Sequence, residues 1–189
     1  MKTMRPSVRI LLPLVMLVGG CATLGGGDIT TMRAVAQGRY DAITTASLVL
    51  DRLIAQPAPS NLTPTQRVAW DAQTNWLTRT KSRLLSLNTN LRRVLDSPHP
   101  SGTGIDGVLE GAQLASDYAR VGEDFAALMA ELTVEREEDE RRVAEAEGMA
   151  ARASDSTRAD SLRRSGGIAL STPLKARHDA ASEALSSVS

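Results

Sequence analysis

The sequence predicts an all-α protein: an antiparallel three- to four-helix bundle with long helices, a charged helical extension and a short C-terminal helix. Three observations carry this. Apolar residues recur at three- and four-residue spacing over long stretches. Alternation of β-branched residues, the pattern of a half-buried strand, is nearly absent. Aromatic residues make up only 3% of the chain, and all of them (Tyr40, Trp70, Trp76, Tyr118 and Phe125) fall in segments with helical spacing. Fixing a residue's backbone costs roughly 1 to 2 kcal/mol, whereas a fully buried Leu or Phe returns roughly 1.5 to 3 kcal/mol. No single helix here carries enough large residues to stand alone, so the helices must pack together.

The first helix is expected from about Asp28, a suitable N-cap, to Ala55, ahead of Pro57 and Pro59. Its seam is Ile29, Met32, Ala36, Ile43, Ala46, Leu50 and Leu53, with Arg39 occupying one slot. The second has the best-marked start in the chain. Thr63-Pro64-Thr65-Gln66 combines an N-cap threonine, a proline at the first helical position and a glutamine three residues after the cap. Its seam runs through Leu77, Thr80, Leu84, Leu87, Leu91 and Val94 until the Ser97–Gly102 loop stops it.

The third helix begins near Ile105 and shows two adjacent faces. Leu114, Tyr118, Val121, Phe125, Leu128 and Leu132 form a large-residue face, and Ala112, Ala115, Ala119, Gly122 and Ala126 a small-residue stripe beside it. An apolar arc this wide predicts a central position in the bundle. Beyond Leu132 the chain turns charged, from Glu135 to Arg142, with Glu137/Arg141 and Glu138/Arg142 at the spacing of exposed helical pairs. This extension is expected to project into solvent or meet a partner. Residues 154–172 read as frayed helix and linker, and a last short helix is expected from Pro173, with Leu174, His178, Ala181 and Leu185 on one side.

The amino-terminal segment is read as an address and not as fold. Lys2, Arg5 and Arg9 precede an apolar run from Ile10 to Val18, the pattern of an export signal. Nine apolar residues in a helix cover roughly 14 Å, about half of a hydrocarbon core of roughly 30 Å, so a permanent span is disfavoured. The only cysteine, Cys21, follows directly. Leu17-Val18-Gly19-Gly20-Cys21 resembles the lipobox of bacterial lipoproteins, with Gly19 where Ala or Ser is more usual. The resemblance covers residues 1–21 alone.

That resemblance implies a signal peptide cut before Cys21, diacylglycerol on its sulfur and a further acyl chain such as palmitate on the new amino terminus. One chain binds a bilayer only marginally, whereas several anchor it. Ala22 stands where an aspartate would, in the enterobacterial sorting rule, retain the protein in the inner membrane, so the periplasmic face of the outer membrane is the favoured address. The competing reading, a buried thiol in an apolar helix, leaves an odd cysteine in an oxidising compartment unexplained.

The expected organisation is therefore a signal peptide (1–20), a lipidated Cys21 with a Gly-rich tether (21–27), a helical bundle (28–153), a flexible linker (154–172) and a short C-terminal helix (173–189). Losing 20 of 189 residues leaves 169, enough for one domain. Three of the 22 Lys and Arg leave with the signal while all 22 Asp and Glu stay, giving a mature net charge of −3. No basic field for nucleic acid remains.

Motifs for chemistry are sparse. Gly102-Thr103-Gly104-Ile105-Asp106-Gly107 matches the G-x-G-x-x-G of dinucleotide folds, but that fold needs a strand before the first glycine. The preceding Asp96–Ser101, with two prolines, cannot supply one, so a loop and helix start is expected. The acidic run from Glu135 to Glu140 is expected to be a solvated face, since consecutive helical residues point apart. His99 and His178 are the only imidazoles; a zinc site or a Ser-His-Asp arrangement would need folding to assemble it. No catalytic, cofactor-binding or metal residues are assigned, and no cofactor is expected.

The leading expectation is a non-enzymatic, membrane-anchored binding or scaffold module for another protein of the cell envelope. Two alternatives stand beside it. One is a small-ligand carrier or enzyme with a site inside the bundle lined by Trp70, Trp76, Tyr118 and Phe125. The other is a phage-encoded or defence-related surface lipoprotein.

Overall fold

The computed structural model describes residues 26–102, 104–158 and 172–188. They form four helices: α1 (Gly26–Ile54), α2 (Pro64–Leu95), α3 (Ile105–Arg158) and α4 (Pro173–Ser186). The all-α bundle expected from the spacing is the fold observed. No helix among the described residues is long and apolar enough to cross a membrane.

The local signals act as their chemistry requires. Thr63 Oγ1 accepts from the Gln66 backbone N–H while Gln66 Oε1 accepts from the Thr63 N–H, satisfying two donors at the start of α2 that lack intrahelical partners. Thr172 caps α4 with a single bond, its Oγ1 accepting from the Lys175 N–H. The first helix begins two residues earlier than expected, at Gly26, so part of the glycine tract is helical. α3 continues past Ala153 to Arg158. Residues 159–171 of the expected linker, and Cys21 with the signal segment, lie outside the described residues.

Successive helices run antiparallel. Lys81 meets Asp51 and Asn88 meets Thr44 across α1 and α2, and Gln73 meets Asp139 while Arg83 meets Glu131 and Glu135 across α2 and α3. α4 runs antiparallel to α3, with His178 beside Asp139 and Ser186 beside Arg136. The seams are the core. Ile43, Ala46 and Leu50 of α1, Leu77, Leu84, Leu87 and Leu91 of α2, and Leu114, Val121, Phe125 and Leu132 of α3 interlock with Ala181 and Leu185 of α4. A smaller cluster of Ala69, Trp70, Val143, Ala146 and Leu174 fills the end where α4 begins.

Two expectations need correction. α3 is not the central helix: α2 packs extensively against both α1 and α3, and the α1–α3 contact is narrower. Along the small-residue stripe Ala119 and Ala126 are exposed, and Ala112 and Gly122 only half-buried. Covering alanine and glycine removes little apolar area, so a wide arc of small residues does not compel burial on every side. The charged extension is not a projection either. Val143 and Ala146 are core residues, and Arg142 donates to Asp139 Oδ1 at 3.0 Å instead of pairing with Glu138.

Arg39, the charged slot in the α1 seam, lays its guanidinium 4.3 Å over the Phe125 ring, so its stem continues the apolar stripe while its charge faces an aromatic surface. The glycine motif has a packing explanation. Gly104 has φ +123°, a conformation costly for any side chain, and a Cβ at Gly107 would fall 1.8 Å from the Gly102 carbonyl oxygen. The motif folds the α2–α3 loop tightly against the first turn of α3, and a helix, not a strand, precedes it.

Gly107→Ala is expected to lower stability by about 1 to 3 kcal/mol, because loop or helix must shift to admit the methyl group. Gly38→Ala, in the exposed middle of α1 with nothing within 4 Å of the added Cβ, should instead raise it by about 0.5 to 1 kcal/mol. Urea unfolding midpoints of the two variants check both signs.

Candidate functional site

The end of the bundle where α4 docks holds a buried polar cluster contributed by three helices. Asp139 of α3 is 0% exposed, and Gln73, Arg177 and His178 are buried with it. A buried carboxylate is tolerable only when its lone pairs are met. Asp139 Oδ2 accepts from Gln73 Nε2 at 3.1 Å and from His178 Nδ1 at 2.9 Å, and Oδ1 accepts from Arg142. An ionised carboxylate can only accept, so the His178 proton on this side sits on Nδ1. The other ring nitrogen, Nε2, lies 3.2 Å from Ser182 Oγ, one helical turn on. The imidazole also lies nearly parallel to Trp76, with ring centroids 6.2 Å apart.

Arg177 carries the second half of the cluster. Its Nε and Nη2 donate to the Leu53 carbonyl at 3.1 and 2.7 Å. That carbonyl belongs to the last turn of α1, where it has only a long 3.4 Å turn bond from the Gln56 N–H and lies at the negative end of the helix dipole. Nη1 donates to Thr74 Oγ1 at 3.0 Å, with Gln73 Oε1 and the Trp70 carbonyl at 3.4 Å. The guanidinium is stacked 4.3 Å over Trp70. Burial pulls the Arg177 pKa below its ordinary value, and the charge of Asp139 opposes the shift. Gln73 connects the two charges directly, accepting from Arg177 and donating to Asp139 and to the Leu174 carbonyl at 3.4 Å.

Of the two imidazoles, His178 is in this cluster and His99 is in an exposed loop. The acidic run is largely solvated, as Glu137, Glu138 and Glu140 are exposed, but Asp139 is the exception that the pattern does not reveal. The only hint is that Asp139 falls seven residues after Leu132 and four before Val143, on the buried face of α3. Gln73 and Arg177 are likewise unmarked in the sequence. The four aromatics expected to line a ligand site are not gathered. Trp70 belongs to the smaller cluster, and Trp76, Tyr118 and Phe125 to the main core. Tyr118 lines a groove of about 410 Å³ between α1 and α3. Its buried hydroxyl has no hydrogen-bond partner among the described residues, and burial raises its pKa.

Asp139, His178 and Ser182 have the connectivity of an acid–base–nucleophile relay. Acyl transfer also needs donors aimed at a developing oxyanion. Ser182 lies inside α4, where its own N–H is part of the helix, and its carbonyl accepts from Ser186 Oγ at 2.8 Å. The Asp139 carboxylate is held from three directions and His178 is packed against a tryptophan. The contacts of Arg177 and His178 clasp α4 to the other three helices. Comparison of the chain with protein-family models, curated proteins and solved structures gives no match.

Asp139→Ala leaves Gln73, His178 and the Arg177 charge without their counterpart and is expected to cost about 3 to 5 kcal/mol, with Asp139→Asn costing less. Ser182→Ala, at the half-exposed edge, should cost no more than about 1 kcal/mol. Urea unfolding orders the three, and hydrogen exchange should show α4 amides losing protection first in Asp139→Ala.

Glu147, beside Thr172 at the start of α4, has its pKa raised by burial, partly offset by Lys175. Because the folded value lies above the unfolded one, this group's contribution is fully present below the ordinary glutamate pKa and is lost as pH rises through the raised value. The melting temperature of the native protein relative to Glu147→Gln should therefore rise as pH is lowered through the carboxylate range.

Proposed function

We propose that the protein is a lipid-anchored, non-enzymatic scaffold or binding module of the bacterial cell envelope, fastened through Cys21 and docking another envelope protein. The observation that carries the reading is the position of the lone cysteine in the chain. It closes a Leu17-Val18-Gly19-Gly20-Cys21 lipobox and stands five residues before the first helical residue, Gly26. A nucleophile at the end of an export-type segment, with small neighbours and a folded body just downstream, is the arrangement lipid attachment requires.

The bundle supports the binding half of the reading by where its unusual residues are used. The buried cluster of Gln73, Asp139, Arg177 and His178 holds α4 in place. Large apolar side chains are left exposed along the outside, including Leu48 of α1, Leu85 of α2 and Val134 of α3. A rod of long helices with isolated apolar positions offers contact area to another protein. The reading favours the periplasmic face of the outer membrane on the strength of Ala22.

Cys21→Ser is expected to abolish labelling by radioactive palmitate and to move the protein out of the detergent phase, whereas labelling that persists would refute the anchor. Photocrosslinking residues at Leu48, Leu85 and Val134 should trap an envelope protein in intact cells from at least one position. Absence of adducts at all three would refute the docking role.

A further inference from the structure

We propose that Ile105, Val108 and Leu109, at the start of α3, form a lipid-contact tip that rests in the interfacial layer of the membrane to which Cys21 is attached. This inference rests on the lipid-anchor reading above. The three side chains are 80%, 68% and 62% exposed. Their spacing of three and four residues puts them on one face of the first helical turns. No other part of the described chain leaves three large aliphatic residues so open within a single turn.

The fold brings that face to the anchored end. Gly111, on the next turn of α3, lies where a Cβ would touch Ile29 Cδ1 at 3.6 Å and Pro100 Cγ at 3.9 Å. The start of α1, the α2–α3 loop and the start of α3 therefore share one end of the bundle. α1 begins at Gly26, five residues beyond Cys21. A fully extended chain of that length spans at most about 18 Å. α3, with 54 residues, is roughly 80 Å long, so only this end of the molecule is held beside the lipid. The cluster around Asp139 and α4 sits towards the other.

Charge decides how such a tip would bind. Asp106 and Glu110 flank the apolar residues and are exposed. At the neighbouring ends of α2 and α1, Arg92 is paired with Asp96, while Arg93 and Arg33 are exposed and are matched in number by Asp106 and Glu110. With no basic excess, contact would come from aliphatic burial at the headgroup boundary and not from attraction to anionic lipid. Zwitterionic and anionic bilayers should be contacted equally.

The test adds a fluorescent reporter at the tip, Val108→Trp, and one far along the same helix, Met149→Trp, both at exposed positions. Each variant is anchored to phosphatidylcholine vesicles in two ways: as the cell-processed protein, and as the chain from Cys21 onward coupled through that thiol to a maleimide-bearing lipid. Bromine on the acyl chains should quench the added emission of Val108→Trp about two-fold, leave that of Met149→Trp unchanged, and do so equally with phosphatidylglycerol present. Leu109→Asp introduced beside Val108→Trp should return the quenching to the Met149→Trp level.

Equal, weak quenching of both reporters on chemically anchored vesicles would overturn the tip. So would a Val108→Trp shift that depends on protein concentration without lipid, which would assign the face to a second copy. Quenching on chemically anchored vesicles, combined with a cell-processed protein that carries no lipid, would support the tip as a lipid-binding face and refute the natural anchor alone.

Discussion

The guanidinium of Arg177 is the constraint on which the arrangement of the four helices depends. It is buried, and a buried cation is stable only where the surrounding acceptors are already in position. Those acceptors come from the last turn of α1, from α2 at Trp70, Gln73 and Thr74, and through Gln73 from Asp139 of α3. Leucine and alanine stripes can slide past one another by a turn at modest cost, because aliphatic contacts are non-directional. Hydrogen bonds to two identified carbonyls and one carboxylate network cannot. The aliphatic core supplies the cohesion, and Arg177 with Asp139 sets the register in which it packs.

This division also explains why the cluster reads poorly as a chemical site despite its suggestive members. A catalytic histidine needs a neighbour that exposes a reacting atom and a cavity that receives the charge formed there. Here Arg177, Gln73 and one oxygen of Asp139 are spent on contacts between helices, while Ser182 and Arg142 meet the cluster from within α4 and α3. Replacing a buried ion pair with well-packed apolar groups is often neutral for stability, so a network of this kind is better understood as selecting one packing than as strengthening it.

The legibility of the fold in the sequence follows the same line. The seams of α1 and α2, the capping box at Thr63 and the stop at Ser97 are visible because they are local: propensity, periodicity and capping act within a few residues. Asp139, Gln73 and Arg177 are not, since nothing within a turn of them separates a buried charge from a solvated one. The partner of Arg177 is 124 residues away at Leu53, and the carboxylate of Asp139 is hidden in a run of acids of which Glu137, Glu138 and Glu140 are exposed. The centrality of α2 escapes the spacing for a related reason. The apolar arc of α3 is wide but composed of small residues, and width alone overstates how strongly it needs covering. The glycine motif shows the converse: its residues are conspicuous, and their spacing reflects how closely the backbone at Gly107 approaches that at Gly102.

The separation of 124 residues between Arg177 and Leu53 bears on how the molecule is assembled. The hairpins α1–α2, α2–α3 and α3–α4 each join neighbours in the chain, but Arg177 needs acceptors from α1 and α2 at once, so its site exists only after those two helices have met. The three long helices would collapse first, and α4 would seat last, into a cleft already lined with carbonyls and a carboxylate. Such a socket rejects greasy strangers and waits for the one segment that brings a planar cation and an imidazole side by side. Seating α4 would thus register that the preceding helices have met in the correct alignment.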